Sequence, residues 1–197
     1  MNIFAYCCAS FEKSVQKAAG VQPLLSPPIT FKQFLPDILM ERDLIYFKLH
    51  GQSESPWWYG DNFCTAFHVD LLRNITLKGT VVFVANCHLE ESPFLEALLR
   101  TGATVIGGSG PNFAQSTGIV GADLLGMYVR RVLATRISPA RALVLAKVLV
   151  AAKTQKMSNL ARHTRDPGRA TDLRRRAAAN ADALQFKIYG GKYDRPS

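Results

Sequence analysis

Short apolar runs alternate with segments of helical pattern along this chain. Six such runs are typical of buried strands, and they cover residues 3–7, 21–25, 44–49, 81–85, 103–106 and 183–189. Periodicity and end signals predict helices at residues 10–19, 30–38, 64–73, 92–100, 121–133 and 140 to about 153. This alternation predicts an α/β fold, with a mainly parallel sheet of about six strands and helices on both faces.

Two segments lack a regular pattern. Residues 51–63 are loop-like and contain the aromatic cluster Trp57-Trp58-Tyr59. Residues 154–182 are polar and rich in arginine, so we expect an irregular, basic insert before the last strand. The length of 197 residues, with no internal repeat, predicts a single domain that covers residues 1–197.

Chemistry-bearing residues follow two of the predicted strands. His50-Gly51 comes directly after one apolar run, and Cys87 comes directly after the next. In an open α/β sheet the ligand crevice lies outside the carboxyl ends of the strands, so neighbouring strands would deliver an imidazole and a thiol to the same edge. A cysteine nucleophile needs a base in this position. The N–H groups of Gly51 and Cys87 could stabilise an oxyanion. The alternative is a loop histidine and an unrelated core cysteine.

The order of these motifs resembles the caspase-fold (clan CD) cysteine peptidases, in the branch of CHAT, clostripain and gingipain-like proteins. The resemblance rests on Leu49-His50-Gly51 and on Ala85-Asn86-Cys87, which stand where the clan has its strand-end histidine and cysteine. It continues in residues 94–108, 137–143 and 184–190, which resemble later helices and strands of the clan.

This resemblance implies a three-layer caspase-like fold and a Cys-His dyad. Cys87 would be the nucleophile, His50 the base or proton donor, and the backbone N–H groups of Gly51 and Cys87 the oxyanion hole. The clan is usually described without a third catalytic residue, so none is assigned.

The substrate pocket of this fold is built from loops at the same edge of the sheet. We therefore expect Asp61 and the segment 108–113, with Gly108 and Ser109, to contact the substrate. Trp57 and Trp58 could line a subsite, or they could pack on the core.

Metal and cofactor motifs are not evident in the sequence. Cys64, His68, Cys87 and His88 lack the paired spacing of a structural zinc site. The segment 107–110 has the glycine content of a phosphate loop but lacks its Gly-Lys-Ser/Thr ending. We expect no cofactor and no bound metal.

Composition and charge limit the setting. No apolar run reaches the roughly 18 residues of a membrane span, no signal peptide is evident, and four cysteines lack a disulfide pattern, so we expect a cytoplasmic protein. Residues 1–129 hold 8 Lys+Arg against 11 Asp+Glu, a net charge of −3, and residues 130–197 hold 16 against 4, a net charge of +12.

The arginines of residues 162–176 could form a solvated surface, a processing site, a docking site for a partner, or a nucleic-acid contact. They lack interleaved aromatic residues, so nucleic acid is the less favoured partner.

The sequence thus predicts a cysteine endopeptidase that acts on protein or peptide substrates through an acyl-enzyme. We expect its control to come from a regulatory protein partner or from processing. The alternative is a catalytically silent caspase-like module whose basic C-terminal third docks an acidic partner or nucleic acid.

Overall fold

The computed structural model describes residues 1–112 and 118–190, and these form a three-layer α/β structure. Its strands are β1 (Ile3–Cys8), β2 (Leu24–Ser26), β3 (Leu44–Lys48), β4 (Trp57–Tyr59), β5 (Thr65–His68), β6 (Val81–Val84), β7 (Thr104–Gly107) and β8 (Lys187–Tyr189). Its helices are α1 (Glu12–Ala19), α2 (Pro93–Arg100), α3 (Gly121–Leu133), α4 (Pro139–His163) and α5 (Pro167–Ala183). Short 3₁₀ turns cover Ala9–Phe11, Pro36–Leu39, Asp61–Phe63 and Val69–Leu72.

Six of the strands form one sheet in the order β2-β1-β3-β6-β7-β8. The first five strands of this order are parallel, and β8 joins the edge antiparallel to β7. The predicted α/β class, with a mainly parallel sheet of about six strands, is confirmed. Strands β3 and β6 are direct neighbours, so their carboxyl ends lie at the same edge.

The sheet buries both of its faces, because alternate residues of each strand point in opposite directions. On β3, Phe47 belongs to a core shared with the β4–β5 hairpin and α2, represented by Phe67 and Phe94. Its neighbour Tyr46 belongs to the opposite core, where α1, α3 and α4 contribute side chains such as Leu125. The prediction of helices on both faces is therefore confirmed.

The prediction for residues 51–73 was wrong. Instead of a loop and a helix, β4 and β5 pair as an antiparallel hairpin outside the main sheet. Trp58 and Phe67 are paired in its register and both are buried, while Trp57, Tyr59 and His68 are only half-buried. This hydrophobic alternation has the period of a strand, and aromatic residues favour strands over helices.

The helix predicted at residues 30–38 is also absent, and the segment forms turns and a short 3₁₀ helix that begins at Pro36. Phe34 is buried, but the adjacent Leu35 is 74% exposed, so the apolar residues do not share one face. Pro36 lacks the N–H that a helix interior requires.

The segment 154–182, predicted to be irregular, is helical and is not a loop insert. Helix α4 continues to His163, and after a short connection Asp166 caps α5 by accepting hydrogen bonds from the N–H groups of Gly168 and Arg169. The two helices pack through small buried residues such as Ala161 and Ala177. Alanine has the highest helix propensity, and here it also allows close packing. In the described part of the chain, no helix combines the length and the apolarity that crossing a membrane requires.

Candidate functional site

The ends of β3 and β6 come together at the carboxyl edge of the sheet. The parallel ladder continues past both strands, since the N–H of Ala85 donates to the carbonyl of Phe47 at 2.8 Å. One step further, the N–H of Leu49 donates to Asn86 Oδ1 at 2.7 Å. The next pair is closer still, because a Cβ placed on Gly51 would overlap the carbonyl oxygen of Cys87. Only glycine allows this approach of the two backbones.

The Cys87 thiol faces the loop that follows β7. The backbone N–H of Asn112 donates to Cys87 Sγ at 3.2 Å, and the thiol lies 3.8 Å from the Asn112 carbonyl oxygen. The Asn112 side chain donates to the carbonyl of Asn86 at 2.7 Å, which fixes the loop against the end of β6. The half-buried sulfur is therefore held in a defined position with an N–H donor directed at it.

The turn after Cys87 has a strained backbone. His88 has a φ of +57°, a left-handed conformation that is uncommon for residues other than glycine. Its N–H donates to the carbonyl of Gly110 at 2.9 Å, so this turn is also anchored to the loop after β7. Strain of this kind is often concentrated at functional sites, where the surrounding structure maintains it.

Two backbone donors at the strand ends have no hydrogen-bond partner among the described residues. Among residues 1–112 and 118–190, neither the N–H of Gly51 nor that of Cys87 donates a hydrogen bond to another group of the protein. Most buried or half-buried N–H groups in proteins are paired. Whether the N–H groups of Gly51 and Cys87 stabilise an oxyanion stays a prediction.

The His50 side chain lies on the side of β1 rather than of β7. Its ring stacks on Phe63 with a centroid separation of 5.6 Å and meets the edge of Phe11 at 5.8 Å. A ring nitrogen of His50, Cys8 Sγ and a carboxylate oxygen of Asp61 all lie within 4.8 Å of one another. Within the described part of the chain, no hydrogen bond joins the His50 ring to Cys87. The structure thus brings the backbones of the predicted dyad together and gives the two side chains different neighbours.

The cysteines at the end of β1 differ from Cys87 in their burial. Burial raises the pKa of the Cys8 thiol to about 12, and the nearby Asp61 carboxylate acts in the same direction. Burial and the adjacent Cys8 likewise raise the pKa of Cys7. Both groups are therefore neutral thiols near pH 7, and neither is suited to act as a free nucleophile.

The other candidate residues lie in three different environments. Asp61 accepts hydrogen bonds from both the N–H and the hydroxyl of Ser10, at 2.7 and 2.6 Å, and lies beside His50. Trp57 is half-buried, between Phe31 at 4.8 Å and His68 at 4.2 Å. Whether Asp61 and Trp57 contact a substrate stays a prediction.

Trp58 lies in the hydrophobic core. It is 1% exposed and stacks on Phe94 with ring centroids 3.9 Å apart, so packing removes it from any substrate-facing surface. Of the two roles expected for this tryptophan, the structure gives it the core one.

Gly108 and Ser109 line a groove of about 360 Å³ that adjoins Cys87 through Asn112, which lines the groove and donates to the Cys87 sulfur. The remaining walls come from the loop after β7 and from the segment between α5 and β8, and consist of Pro111, Asn112, Asp182, Gln185, Phe186 and Lys187. Gly108 allows Phe186 to pack closely, since an added Cβ would lie 2.9 Å from its ring. The segment 108–113 was predicted to contact substrate, and its last residue, Phe113, lies outside the described residues.

A larger cavity of about 740 Å³ lies at the opposite edge of the sheet, where Asp43 and Thr80 precede β3 and β6. Ligand sites of open α/β sheets lie at the carboxyl ends of the strands, so the groove beside Cys87 fits the expected location better than this cavity does.

Sequence analysis missed several residues that shape this edge. Asn86 and Asn112 connect the strand ends and the loop, and Ser10 binds Asp61. Cys8 joins His50 and Asp61 although the three residues are far apart in the sequence. Local metal-ligand spacing could not have found this cluster, because three separate elements bring it together.

A buried ion pair lies beneath the site. Lys48, two residues before His50 on β3, pairs with Asp123 at the start of α3, and both side chains are at most 5% exposed. The Tyr46 hydroxyl donates to the same carboxylate at 2.7 Å, and the Lys48 ammonium lies 4.5 Å from the centre of the Phe11 ring. Phe11 in turn contacts His50, so the ion pair and the histidine both pack against the Phe11 ring.

Comparisons with known proteins identify no family for this chain. No protein-family model matches the chain, and no curated protein matches its sequence. Among solved structures, the chain is similar to oxidised flavodoxin 1 from Bacillus cereus, with a TM-score of 0.45 and 12% identity over 70% of this chain and 100% of the flavodoxin chain. At this level of similarity, no function is transferred from the flavodoxin.

Proposed function

We propose that this protein is a cysteine endopeptidase of caspase-like type, in which Cys87 is the nucleophile and His50 carries protons. The observation that supports it most directly is that, among the described residues, the N–H groups of Gly51 and Cys87 have no hydrogen-bond partner, at the strand ends that carry a positioned, half-buried thiol. Acyl transfer to cysteine requires a thiol, an imidazole that can reach it and N–H donors for the oxyanion.

In the proposed reaction the Cys87 thiolate attacks the carbonyl carbon of a peptide bond. The carbonyl oxygen becomes an oxyanion, which accepts hydrogen bonds from Gly51 and Cys87. His50 gives a proton to the leaving amine, and an acyl-enzyme remains on the sulfur. His50 then takes a proton from water, which attacks the acyl group and releases the carboxylic acid and the thiolate. His50 must turn from Phe63 towards Cys87, in keeping with the loose geometry that catalytic groups often have before substrate binds.

A polypeptide substrate would occupy the groove beside Cys87. Asp182 provides an acidic group on its wall, and the Lys187 ammonium lies 3.0 Å from Glu90, which offsets that lysine's charge. An acidic wall of this kind favours a basic side chain before the cleaved bond. We place the protein in the cytoplasm, since all four of its cysteines are free thiols, and we expect a protein partner or processing to control it.

Covalent labelling tests the dyad. We expect a peptide that carries a thiol-reactive electrophile to label Cys87, as read by mass spectrometry, and Cys87→Ala to abolish the labelling. Loss of the proton carrier in His50→Ala should slow labelling by about 10²- to 10⁴-fold.

The matched control is Cys64→Ala, because Cys64 is the other half-buried free thiol. In Cys64→Ala, the peptide electrophile should label Cys87 at the wild-type rate. Labelling that is unchanged in His50→Ala, or that occurs at Cys64 instead of Cys87, contradicts the dyad.

The second candidate is a catalytically silent interaction module. The observation that favours it is the position of the His50 ring, which packs between Phe11 and Phe63 and makes no hydrogen bond to Cys87 within the described residues. This candidate predicts no specific labelling of Cys87 under any condition, and binding of an acidic partner through the basic helices α4 and α5.

A further inference from the structure

Three potential metal ligands converge beside the proposed dyad without including Cys87. We propose that Cys8, His50 and Asp61 form a zinc-binding site, and that zinc bound there inhibits the peptidase by holding His50 away from Cys87. The metal-binding part stands on the cluster itself, and only the inhibition rests on the proposed function.

The donor set is one that zinc prefers. Cys8 offers a sulfur that becomes a thiolate on metal binding, His50 an imidazole nitrogen and Asp61 a carboxylate oxygen, with all three donor atoms within 4.8 Å of one another. Zn–S and Zn–N bonds of about 2.0–2.3 Å require only a small contraction of this triangle. Three protein ligands leave one tetrahedral position for water, and mixed thiolate and imidazole ligands favour zinc over magnesium or calcium.

The surroundings hold two of the ligands in place. Ser10 donates from its N–H to one Asp61 oxygen and from its hydroxyl to the other, which fixes the orientation of the carboxylate while leaving lone pairs for a metal. Groups that orient ligands in this way are a regular part of zinc sites. Cys8 is fully buried, and its sulfur already lies within 4.8 Å of a ring nitrogen of His50.

The aromatic rings of Phe63 and Phe11 contact His50 from outside the cluster. Phe63 is 64% exposed and stacks on His50, and both Phe63 and Asn62 have positive φ values, of +57° and +55°. The turn that supplies Asp61 therefore also covers the imidazole, and a strained backbone of this kind persists only where the surrounding structure maintains it.

Zinc bound to the His50 ring would keep this imidazole from acting on Cys87. On binding, hydrated Zn²⁺ exchanges coordinated water for Cys8 Sγ, an Asp61 oxygen and a ring nitrogen of His50, and the Cys8 thiol releases its proton to solvent. No oxidation takes place. The imidazole is then fixed on the side of β1 and cannot carry protons to or from Cys87, so peptide hydrolysis stops until a chelator removes the metal.

Direct binding is tested first, on the full chain, with Co²⁺ as the spectroscopic substitute for zinc. We expect one Co²⁺ per chain, a thiolate-to-cobalt charge-transfer band, and displacement by Zn²⁺. The band should persist in Cys87→Ala and in Cys64→Ser, because neither thiol belongs to the site. Cys8→Ser should remove the band, and Ser10→Ala should weaken binding by about 10- to 100-fold.

Ser10 is exposed, so its variant keeps the test decisive if Cys8→Ser fails to fold. A cobalt band that Cys87→Ala abolishes, or binding that neither Cys8→Ser nor Ser10→Ala weakens, overturns the site.

Inhibition is tested separately by peptide hydrolysis with increasing Zn²⁺. We expect wild-type activity to fall with zinc and to return with a chelator, and Ser10→Ala to need about 10-fold more zinc. Zinc binding with unchanged hydrolysis overturns the inhibitory role alone. Absence of any hydrolysis, together with a cobalt band that depends on Cys8, refutes the proposed peptidase and keeps the metal site.

Discussion

The side chain of Asn86 bridges the two strand ends that carry His50 and Cys87. Its Oδ1 accepts the Leu49 N–H at 2.7 Å, and its backbone carbonyl accepts the Asn112 side chain at 2.7 Å. The residue is 1% exposed, so no water can replace these bonds. We therefore expect Asn86 to be a positioning residue, which sets the separation of the proposed oxyanion donors without touching a substrate.

Replacement of Asn86 tests this role. Asn86→Ala leaves the buried Leu49 N–H without an acceptor, and we expect a loss of about 1–3 kcal/mol of unfolding free energy in urea. We also expect the rate of Cys87 labelling by the peptide electrophile to fall by more than 10-fold, measured without urea at a pH where the variant is fully folded.

The control for this experiment is Asn74→Ala, at an exposed asparagine outside the site, which should change neither quantity. A variant that loses stability but labels at the wild-type rate would show that Asn86 is purely structural. The urea titration and the labelling rate together separate the two roles.

Lys48 and Asp123 act at the scale of elements, since their ion pair joins β3 to the first turn of α3. Close packing supports the same joint: a Cβ added to Gly126 of α3 would lie 2.5 Å from the Tyr46 ring. Burial, and then the charge and hydrogen bond of Asp123, raise the pKa of Tyr46, so its hydroxyl stays a donor to the carboxylate at all physiological pH values. The pair thus fixes α3 against the strand that ends in His50.

We expect Lys48→Met to cost about 3–5 kcal/mol of unfolding free energy, because it leaves the buried Asp123 carboxylate uncompensated. The double variant Lys48→Met/Asp123→Asn removes both charges and keeps an acceptor for Tyr46, so it should recover a large part of this loss. Urea unfolding of the two variants measures the difference.

Lys13→Met provides the control, because Lys13 is an exposed lysine on α1. Its effect should stay within about 0.5 kcal/mol. A double variant as unstable as Lys48→Met would mean that the loss comes from packing rather than from the unpaired charge.

Elements also differ in how well the sequence predicts them. The parallel strands were recognisable because both of their faces are buried, which leaves apolar runs such as Val81–Val84. The hairpin β4–β5 was not, because its apolar alternation spans only three or four residues per strand and depends on packing of Trp58 against Phe94 of distant α2. The sequence could predict that His50-Gly51 and Cys87 lie at adjacent strand ends, because this follows from the order of the parallel strands. It could not predict the neighbours of the His50 ring, because these come from three separate segments.

At the scale of the whole molecule, the basic C-terminal third forms part of one helical layer. Helices α3, α4 and α5 pack on one another and cover a single face of the sheet. The far end of α5 leads into Asp182 and Gln185, which line the groove beside Cys87. A partner that binds the exposed side of α5 would therefore contact a helix whose end lines the groove. We expect a regulatory protein to influence the site through this helix.

The surface of α5 is a poor match for nucleic acid. Arg175 and Arg176 lie 3.3 and 3.7 Å from Asp172 of the same helix, and the groove between α4 and α5 is lined by alanines, Thr154, Ser158, Arg162 and Arg174, with no aromatic ring for base stacking. Any binding should rest on phosphate contacts alone and weaken steeply with salt, by a slope of about −0.7 per contacted phosphate for a single strand.

Fluorescence anisotropy with a labelled single-stranded DNA measures this property at low and at physiological salt. We expect weak binding at low salt that Arg174→Gln/Arg175→Gln reduces, and dissociation constants above about 10⁻⁶ M at physiological salt. Arg100→Gln, which removes a positive charge from α2 on the opposite face, should leave the low-salt binding unchanged. Tight binding at physiological salt would contradict the assignment and would make nucleic acid the natural ligand of the helical layer, because phosphate attraction without stacking or base contacts cannot supply such affinity.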